Sequence, residues 1–171
     1  MARLTYVEKE TAKPEQEKVL SQLTQRSGKI ANIWKLWSHS PLTLEPFAMF
    51  YKALMKGALD GKLRELAYIK TSILNDCAYC AEAHKGLARK LGVTEEQLQA
   101  LNNYESSNLF TPLEKLALKY AEELTKTAKS SDGLVKVFES LIVFTFQIQV
   151  HPQVQIWLVI LRLYLNCLPV F

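Results

Sequence analysis

Apolar residues recur at helical spacing along most of the chain and predict a series of amphipathic helices. One clear stripe runs from Pro112 to about Ala128, where apolar positions lie three and four residues apart. Start and stop signals agree with this pattern, because Thr94 and Thr111 each open a capping box and Gly92 follows the helix before them. We therefore predict an all-α fold.

The predicted helices follow one another closely after a polar, loose lead-in at residues 1–13. They cover about 14–28, 30–37, 41–57, 62–74, 76–91, 94–101 and 112–128, and a further apolar pattern begins at 134. No solenoid repeat and no linker divides the chain. We expect a single domain over residues 1–171 with about seven to eight helices.

The segment 141–171 differs from the rest of the chain. Arg162 is its one formal charge. Residues 141–150 alternate as a strand would, and 154–168 form a second apolar run, but neither reaches the roughly 18–20 apolar residues of a membrane span. A buried core or subunit-interface helix is the expected explanation, so we predict no membrane partner. A shifted reading frame is a second hypothesis for this segment.

Composition and charge exclude several functional classes. The 171 residues are 49% hydrophobic, which suffices for a core, and the net charge of +4 comes with scattered lysines and no basic run. We therefore predict no nucleic acid partner. Three cysteines do not make a secreted disulfide framework, and residues 1–10 are too polar for a secretory signal. The expected location is cytoplasmic.

The chemistry concentrates between Glu65 and His84. If the segment from Cys77 is helical, then Cys77, Cys80 and His84 fall on one face. Asp76 is the predicted N-cap, which places both thiols near the positive end of the helix dipole, where thiolate is favoured over thiol. Glu65 stands almost alone among apolar neighbours on the preceding helix. This pattern indicates redox-cysteine chemistry.

Other interpretations of these residues stay open. The two cysteines could be small core residues. Zinc could be held by the same two cysteines and the histidine, with Glu65 as a fourth ligand. Glu65 could instead face solvent or pair with Arg64 or Lys62. The third cysteine, Cys167, lies among leucines and is predicted to be a core thiol.

The complete pattern, E-x11-C-x-x-C-x3-H on two consecutive helices, resembles the carboxymuconolactone decarboxylase superfamily and, more narrowly, its alkylhydroperoxidase D-like branch. The flanking LRELAYIKTS and AHKGLA segments are similar as well, and the likeness covers about residues 30–101. The resemblance implies an all-helical fold that assembles as a homo-oligomer, a trimer or hexamer. It also implies a peroxidase cycle without metal, haem, flavin or any other cofactor.

The resemblance also implies a role for each residue. Cys80 is the peroxidatic nucleophile, Cys77 the resolving cysteine, His84 the general base of a proton relay and Glu65 the carboxylate that orients His84. The implied partners are a hydroperoxide substrate and a thioredoxin-like or lipoyl-type reductant. Tyr79 stands where the best-studied peroxidases of this branch carry a second histidine, and a tyrosine is a poor proton acceptor near neutral pH.

Two other functions remain as alternatives to the peroxidase. One is a carboxymuconolactone decarboxylase-type lyase that acts on a small lactone or β-keto acid. The other is a non-enzymatic, redox-sensing oligomer whose Cys77–Cys80 disulfide alters assembly. The lyase branch does not depend on a C-x-x-C pair, so the two cysteines favour the peroxidase.

Overall fold

Helices form all the regular secondary structure that the computed structural model describes, which covers residues 4–27, 29–56, 59–129 and 131–134. The predicted all-α fold is confirmed. Two short 3-10 helices lie at Lys9–Thr11 and Leu101–Asn103, and residues 132–134 are also helical. The longer helices are α1 (Pro14–Ser27), α2 (Asn32–Trp37), α3 (Pro41–Met55), α4 (Gly61–Leu74), α5 (Ala78–Lys90), α6 (Glu95–Ala100) and α7 (Pro112–Thr127).

Two compact units divide the described residues, one up to residue 56 and the other from residue 59 onward. The single domain predicted for residues 1–171 stays a prediction, and each unit is described by itself. The apolar segment 141–171, with Cys167, lies outside the described residues. Every described helix falls short of the length and apolar character that a membrane crossing requires.

The first unit packs α1, α2 and α3 around a buried tryptophan. Trp34 makes an edge-on contact with Tyr51 at 5.4 Å between ring centroids. The side chains at its centre are Val19, Leu20, Trp34 and Leu44. The lead-in contacts this unit, because Glu8 forms a salt bridge of 2.7 Å with Lys35.

The second unit is built on α4, which packs against both α5 and α7. One side of α4 places Leu66 and Ile69 in a cluster with residues of α5 and of the chain that follows it. Another side places Leu63 against apolar residues of α7. A helix covered on two sides buries most of its surface, which is why a charged residue on α4 must find its partners inside the protein.

Side-chain caps begin three helices of this unit, and two of these caps are the predicted capping boxes. Asp60 accepts a hydrogen bond from the Leu63 amide at 3.1 Å. The capping boxes opened by Thr94 and Thr111 are both present. In the second box Glu114 is 4% exposed and also pairs with Lys62 at 2.7 Å. Burial raises the pKa of Glu114, but the bonds from Lys62 and the Thr111 amide outweigh burial and hold this pKa below its ordinary value.

Candidate functional site

Asp76 ends helix α4 rather than beginning α5, so its prediction as an N-cap is wrong. Its backbone is left-handed, with φ of 53°. Its N–H donates to the Ile73 carbonyl at 3.1 Å, and the Cys77 N–H donates to the Ser72 carbonyl at 2.9 Å. These two bonds form a Schellman motif, which closes a helix and needs a left-handed residue. Aspartate tolerates that conformation better than most residues, whereas an N-cap requires non-helical backbone of the extended kind.

Cys77 takes the N-cap position in place of Asp76. Its Sγ accepts a hydrogen bond from the Cys80 amide at 3.3 Å, and α5 begins at the next residue, Ala78. The two sulfurs are joined in a disulfide. Cys80 is 5% exposed and Cys77 is half-buried. Both cysteines therefore lie at the positive end of α5, as predicted, although the capping group differs.

Glu65 is 1% exposed, and its carboxylate contacts two side chains. Oε2 lies 2.6 Å from Nδ1 of His84, and Oε1 accepts a hydrogen bond from Nε of Arg64 at 3.3 Å. The alternative that Glu65 faces solvent is therefore wrong. Of the two predicted cations, Arg64 pairs with it, while Lys62 pairs with Glu114 instead.

His84 joins the two halves of the site. It lies on α5 four residues after Cys80, so the two share a face of that helix. Its side chain is 20% exposed and reaches Glu65 on α4. The structure thus brings the Glu65 carboxylate and the His84 imidazole into contact from two helices, and it places Cys80 and His84 on one face of α5. The catalytic roles assigned to these four residues stay predictions.

Tyr68 belongs to the site and was missed in the sequence. Its ring stacks on the imidazole of His84, with 3.5 Å between ring centroids and 14° between ring planes. Tyr68 is 8% exposed and lies on α4 three residues after Glu65. Residues three apart share a helix face, so an aromatic residue at this spacing was the available signal.

Tyr79 lies in the first turn of α5 between the cysteines, and 44% of its surface is exposed.

A zinc site was the alternative interpretation of these residues. Within the described ranges, no group of three or more histidine, cysteine, aspartate or glutamate side chains is arranged to hold a metal ion. In this oxidised state the two cysteine sulfurs are bonded to each other, whereas zinc takes thiolates.

One known family matches the central part of the chain. Residues 41–123, which include α4, α5 and both cysteines, match the model of the carboxymuconolactone decarboxylase family. Over these residues the chain is similar to this family. A curated relative, the uncharacterized protein YdfG of Bacillus subtilis (strain 168), is 34% identical over 74 residues. That match spans 43% of this chain and 50% of the relative, so the chain covers about half the length of the relative.

Solved structures of proteins with peroxidase-related or antioxidant-related names share the fold of this chain. An uncharacterized peroxidase-related protein from Ralstonia eutropha JMP134, with an alkylhydroperoxidase AhpD core, gives a TM-score of 0.80 at 18% identity, covering 97% of this chain and 87% of that chain. A second uncharacterized peroxidase-related protein, from Silicibacter sp. TM1040, gives a TM-score of 0.77 at 20% identity, and the match again covers 97% of this chain and 87% of that chain. A putative antioxidant defence protein AhpD from Agrobacterium tumefaciens gives 0.66 at 17% identity, covering 77% and 89%. At these identities the likeness establishes an AhpD-like helical fold.

Proposed function

We propose that the protein is a thiol-dependent peroxidase that reduces hydroperoxides with electrons from an external dithiol. The contact between the buried carboxylate of Glu65 and the imidazole of His84, which shares a face of α5 with Cys80, carries this proposal. A base held by a buried carboxylate, next to a cysteine in the first turn of a helix, is suited to generate a thiolate. The peroxidase-related names of proteins with this fold support the same activity.

The first half of the proposed cycle reduces the peroxide. His84 takes the proton of the Cys80 thiol, and the thiolate attacks one oxygen of the peroxide. A sulfur–oxygen bond forms as the O–O bond breaks, so Cys80 becomes a sulfenic acid. The departing alkoxide takes the proton from His84 and leaves as an alcohol, or as water when the substrate is hydrogen peroxide.

The second half restores the enzyme. The Cys77 sulfur attacks the Cys80 sulfur, which forms the disulfide and releases the sulfenic oxygen as water. An external dithiol then supplies two electrons and two protons, becomes a disulfide and regenerates both thiols. Cys77 is the more exposed of the two cysteines, so we expect the reductant to attack its sulfur.

Peroxide turnover by the purified protein tests this proposal. Reduced protein should consume cumene hydroperoxide in the presence of dithiothreitol, and Cys80→Ser should abolish this consumption because no sulfenic acid can form. Cys167→Ser is the matched control, since it removes a cysteine outside the motif and should retain turnover. Unchanged turnover in Cys80→Ser, or no turnover in the wild-type protein, would refute the proposal.

The disulfide itself gives a second test. One equivalent of peroxide added to the reduced protein should link Cys77 to Cys80, as mass mapping of the peptides would show, and dithiothreitol should reverse the link. Thiols that stay unmodified after the peroxide would contradict the cycle and favour a structural role for both cysteines.

A further inference from the structure

The imidazole of His84 is held on one face as well as at one edge. Tyr68 covers that face at 3.5 Å between ring centroids, nearly parallel at 14°. The torsion that turns a histidine ring about its own bond to Cβ is broad and weakly restricted. A ring stacked this closely opposes that rotation, because turning the imidazole would drive its edge into the tyrosine. Tyr68 therefore restricts the plane of the imidazole.

The edge contact restricts which nitrogen faces the carboxylate. Arg64 donates to Oε1 of Glu65, and this contact leaves Oε2 for Nδ1 of His84 at 2.6 Å. A neutral imidazole that donates from Nδ1 carries its lone pair on Nε2. Nε2 is then the nitrogen that can accept a proton from a thiol, provided that the ring keeps this plane.

We infer that Tyr68 is a positioning residue, which keeps the His84 imidazole in the plane and tautomer that proton transfer at Nε2 requires. This inference rests on the proposed function and adds to it a residue outside the cysteine–glutamate–histidine motif. The ring face of Tyr68 acts by shape and by attraction of the positive charge that His84 gains when it takes a proton. The phenolic oxygen is not needed for either effect.

Two replacements separate the ring from the hydroxyl. Tyr68→Phe keeps the ring and should behave as the wild-type protein, whereas Tyr68→Leu removes the stacking partner. Tyr104→Leu is the matched control, because Tyr104 is also a buried tyrosine of the same unit, at 3% exposure, and contacts Lys70 rather than the site. A comparable loss of thermal stability in both leucine variants would show that the two are equally perturbed.

Two measurements that need no peroxide report on the site. The ¹⁵N resonances of the His84 ring at neutral pH distinguish a proton on Nδ1 from a proton on Nε2. The rate of Cys80 alkylation by iodoacetamide, measured in the Cys77→Ser background and assigned by peptide mass mapping, reports the ease of thiol deprotonation. Peroxide turnover is measured separately for each variant.

We expect Tyr68→Leu to mix the two tautomers and to slow Cys80 alkylation roughly 2- to 12-fold, the range that one aromatic contact supports. Tyr68→Phe and Tyr104→Leu should both keep the wild-type tautomer of His84 and the wild-type rate of Cys80 alkylation. If Tyr68→Leu matches Tyr104→Leu in tautomer and alkylation rate, the inference is overturned even where the wild-type protein reduces peroxide. If the wild-type protein reduces no peroxide while Tyr68→Leu alone shifts both readouts, the proposed function fails and the positioning role stands.

Discussion

Replacing Glu65 with glutamine keeps the shape of the side chain and removes its charge, and we expect this change to invert the tautomer of His84. Arg64 can only donate, so the glutamine oxygen should take the place of Oε1 beside Nε of Arg64. The amide NH₂ then replaces Oε2, which lies 2.6 Å from Nδ1 of His84. Because this NH₂ donates, Nδ1 must accept. The proton of a neutral imidazole moves to Nε2, where it blocks uptake of the thiol proton.

The size of the expected loss in kcat/KM follows from the contacts that Glu65→Gln changes. A hydrogen bond to a charged group contributes about 1.5–3 kcal/mol, which corresponds to roughly 10- to 150-fold in rate. A correctly placed proton-transfer group contributes about 10²–10⁴-fold. Glu65 is 1% exposed, so water cannot readily replace its carboxylate. We therefore expect Glu65→Gln to lower kcat/KM for cumene hydroperoxide about 10²-fold, where the two ranges meet.

Glu114→Gln is the matched control for this prediction. Glu114 is the other glutamate of α4 and α7 with a buried carboxylate, at 4% exposure, and it pairs with Lys62 rather than with the site. The same chemical change there should leave kcat/KM within about twofold of the wild-type value, since surrounding packing is kept. A Glu65→Gln variant that folds normally and keeps wild-type kcat/KM would refute the proposed role of the carboxylate.

Two further predictions concern stability. Asp76→Gly should raise the free energy of unfolding by roughly 0.5–1 kcal/mol, because glycine avoids the cost of φ of 53°, roughly 1–2 kcal/mol, and this gain exceeds the roughly 0.4–1 kcal/mol that it loses through a freer unfolded chain. Asp76→Ala should lower the free energy of unfolding. Denaturant titration would measure both variants, and equal values would contradict the Schellman assignment. Glu114→Gln should lower stability by about 1–2 kcal/mol at pH 7. Since the pKa of folded Glu114 lies below its ordinary value of 4.5, this difference is complete above that value and disappears as the pH falls through the folded pKa. Stability curves for both proteins between pH 7 and pH 3 would show a constant difference if the ion pair had no such effect.

The helices and their boundaries could be predicted because their signals are local. A capping box needs only residues within one turn, and both boxes, at Thr94 and Thr111, are present as predicted. Gly92 likewise marks the end of α5, where its φ is 86°. The apolar stripe at helical spacing then predicts which face of each helix packs against a neighbour. Local sequence thus determines most of the described secondary structure.

The partners of Glu65 could not be predicted, because they depend on how α5 packs against α4. Arg64 and Lys62 lie next to this carboxylate along the chain, whereas His84 lies 19 residues away and reaches it only if the two helices pack together. The packing of the helices determines which side chains contact Glu65. Lys62 lies near the start of α7 and pairs with Glu114 instead, while His84 contacts the Glu65 carboxylate, which is 1% exposed. Tyr68 was missed for a related reason: its spacing of three residues places it on the same face of α4 as Glu65, but that spacing does not show that an imidazole of the next helix stacks on its ring.

The position of Asp76 shows how similar local signals can predict the wrong cap. An aspartate before an apolar run is a strong N-cap signal, but an aspartate directly after a helix also tolerates the left-handed conformation. The preceding helix, α4, determines the conformation of Asp76, because carbonyls in its last turn, at Ser72 and Ile73, accept hydrogen bonds from the amides of Cys77 and Asp76. Since those two bonds require φ above zero at Asp76, this residue cannot also cap α5.

The shifted cap gives the two cysteines different routes to a thiolate in the proposed cycle. Cys77 is the N-cap residue, and its Sγ accepts a hydrogen bond from the Cys80 amide at 3.3 Å. Backbone donors at the start of the helix therefore favour the thiolate of Cys77. Cys80, in the first turn, has His84 on the same helix face, and the imidazole can both remove a proton and return it. Breaking a peroxide bond requires a proton for the departing alkoxide, whereas attack on a sulfenic acid from a neighbouring sulfur needs chiefly a thiolate. The group that can deliver a proton therefore belongs beside the peroxidatic sulfur, and the position of His84 four residues after Cys80 is consistent with the role that the resemblance implies for Cys80.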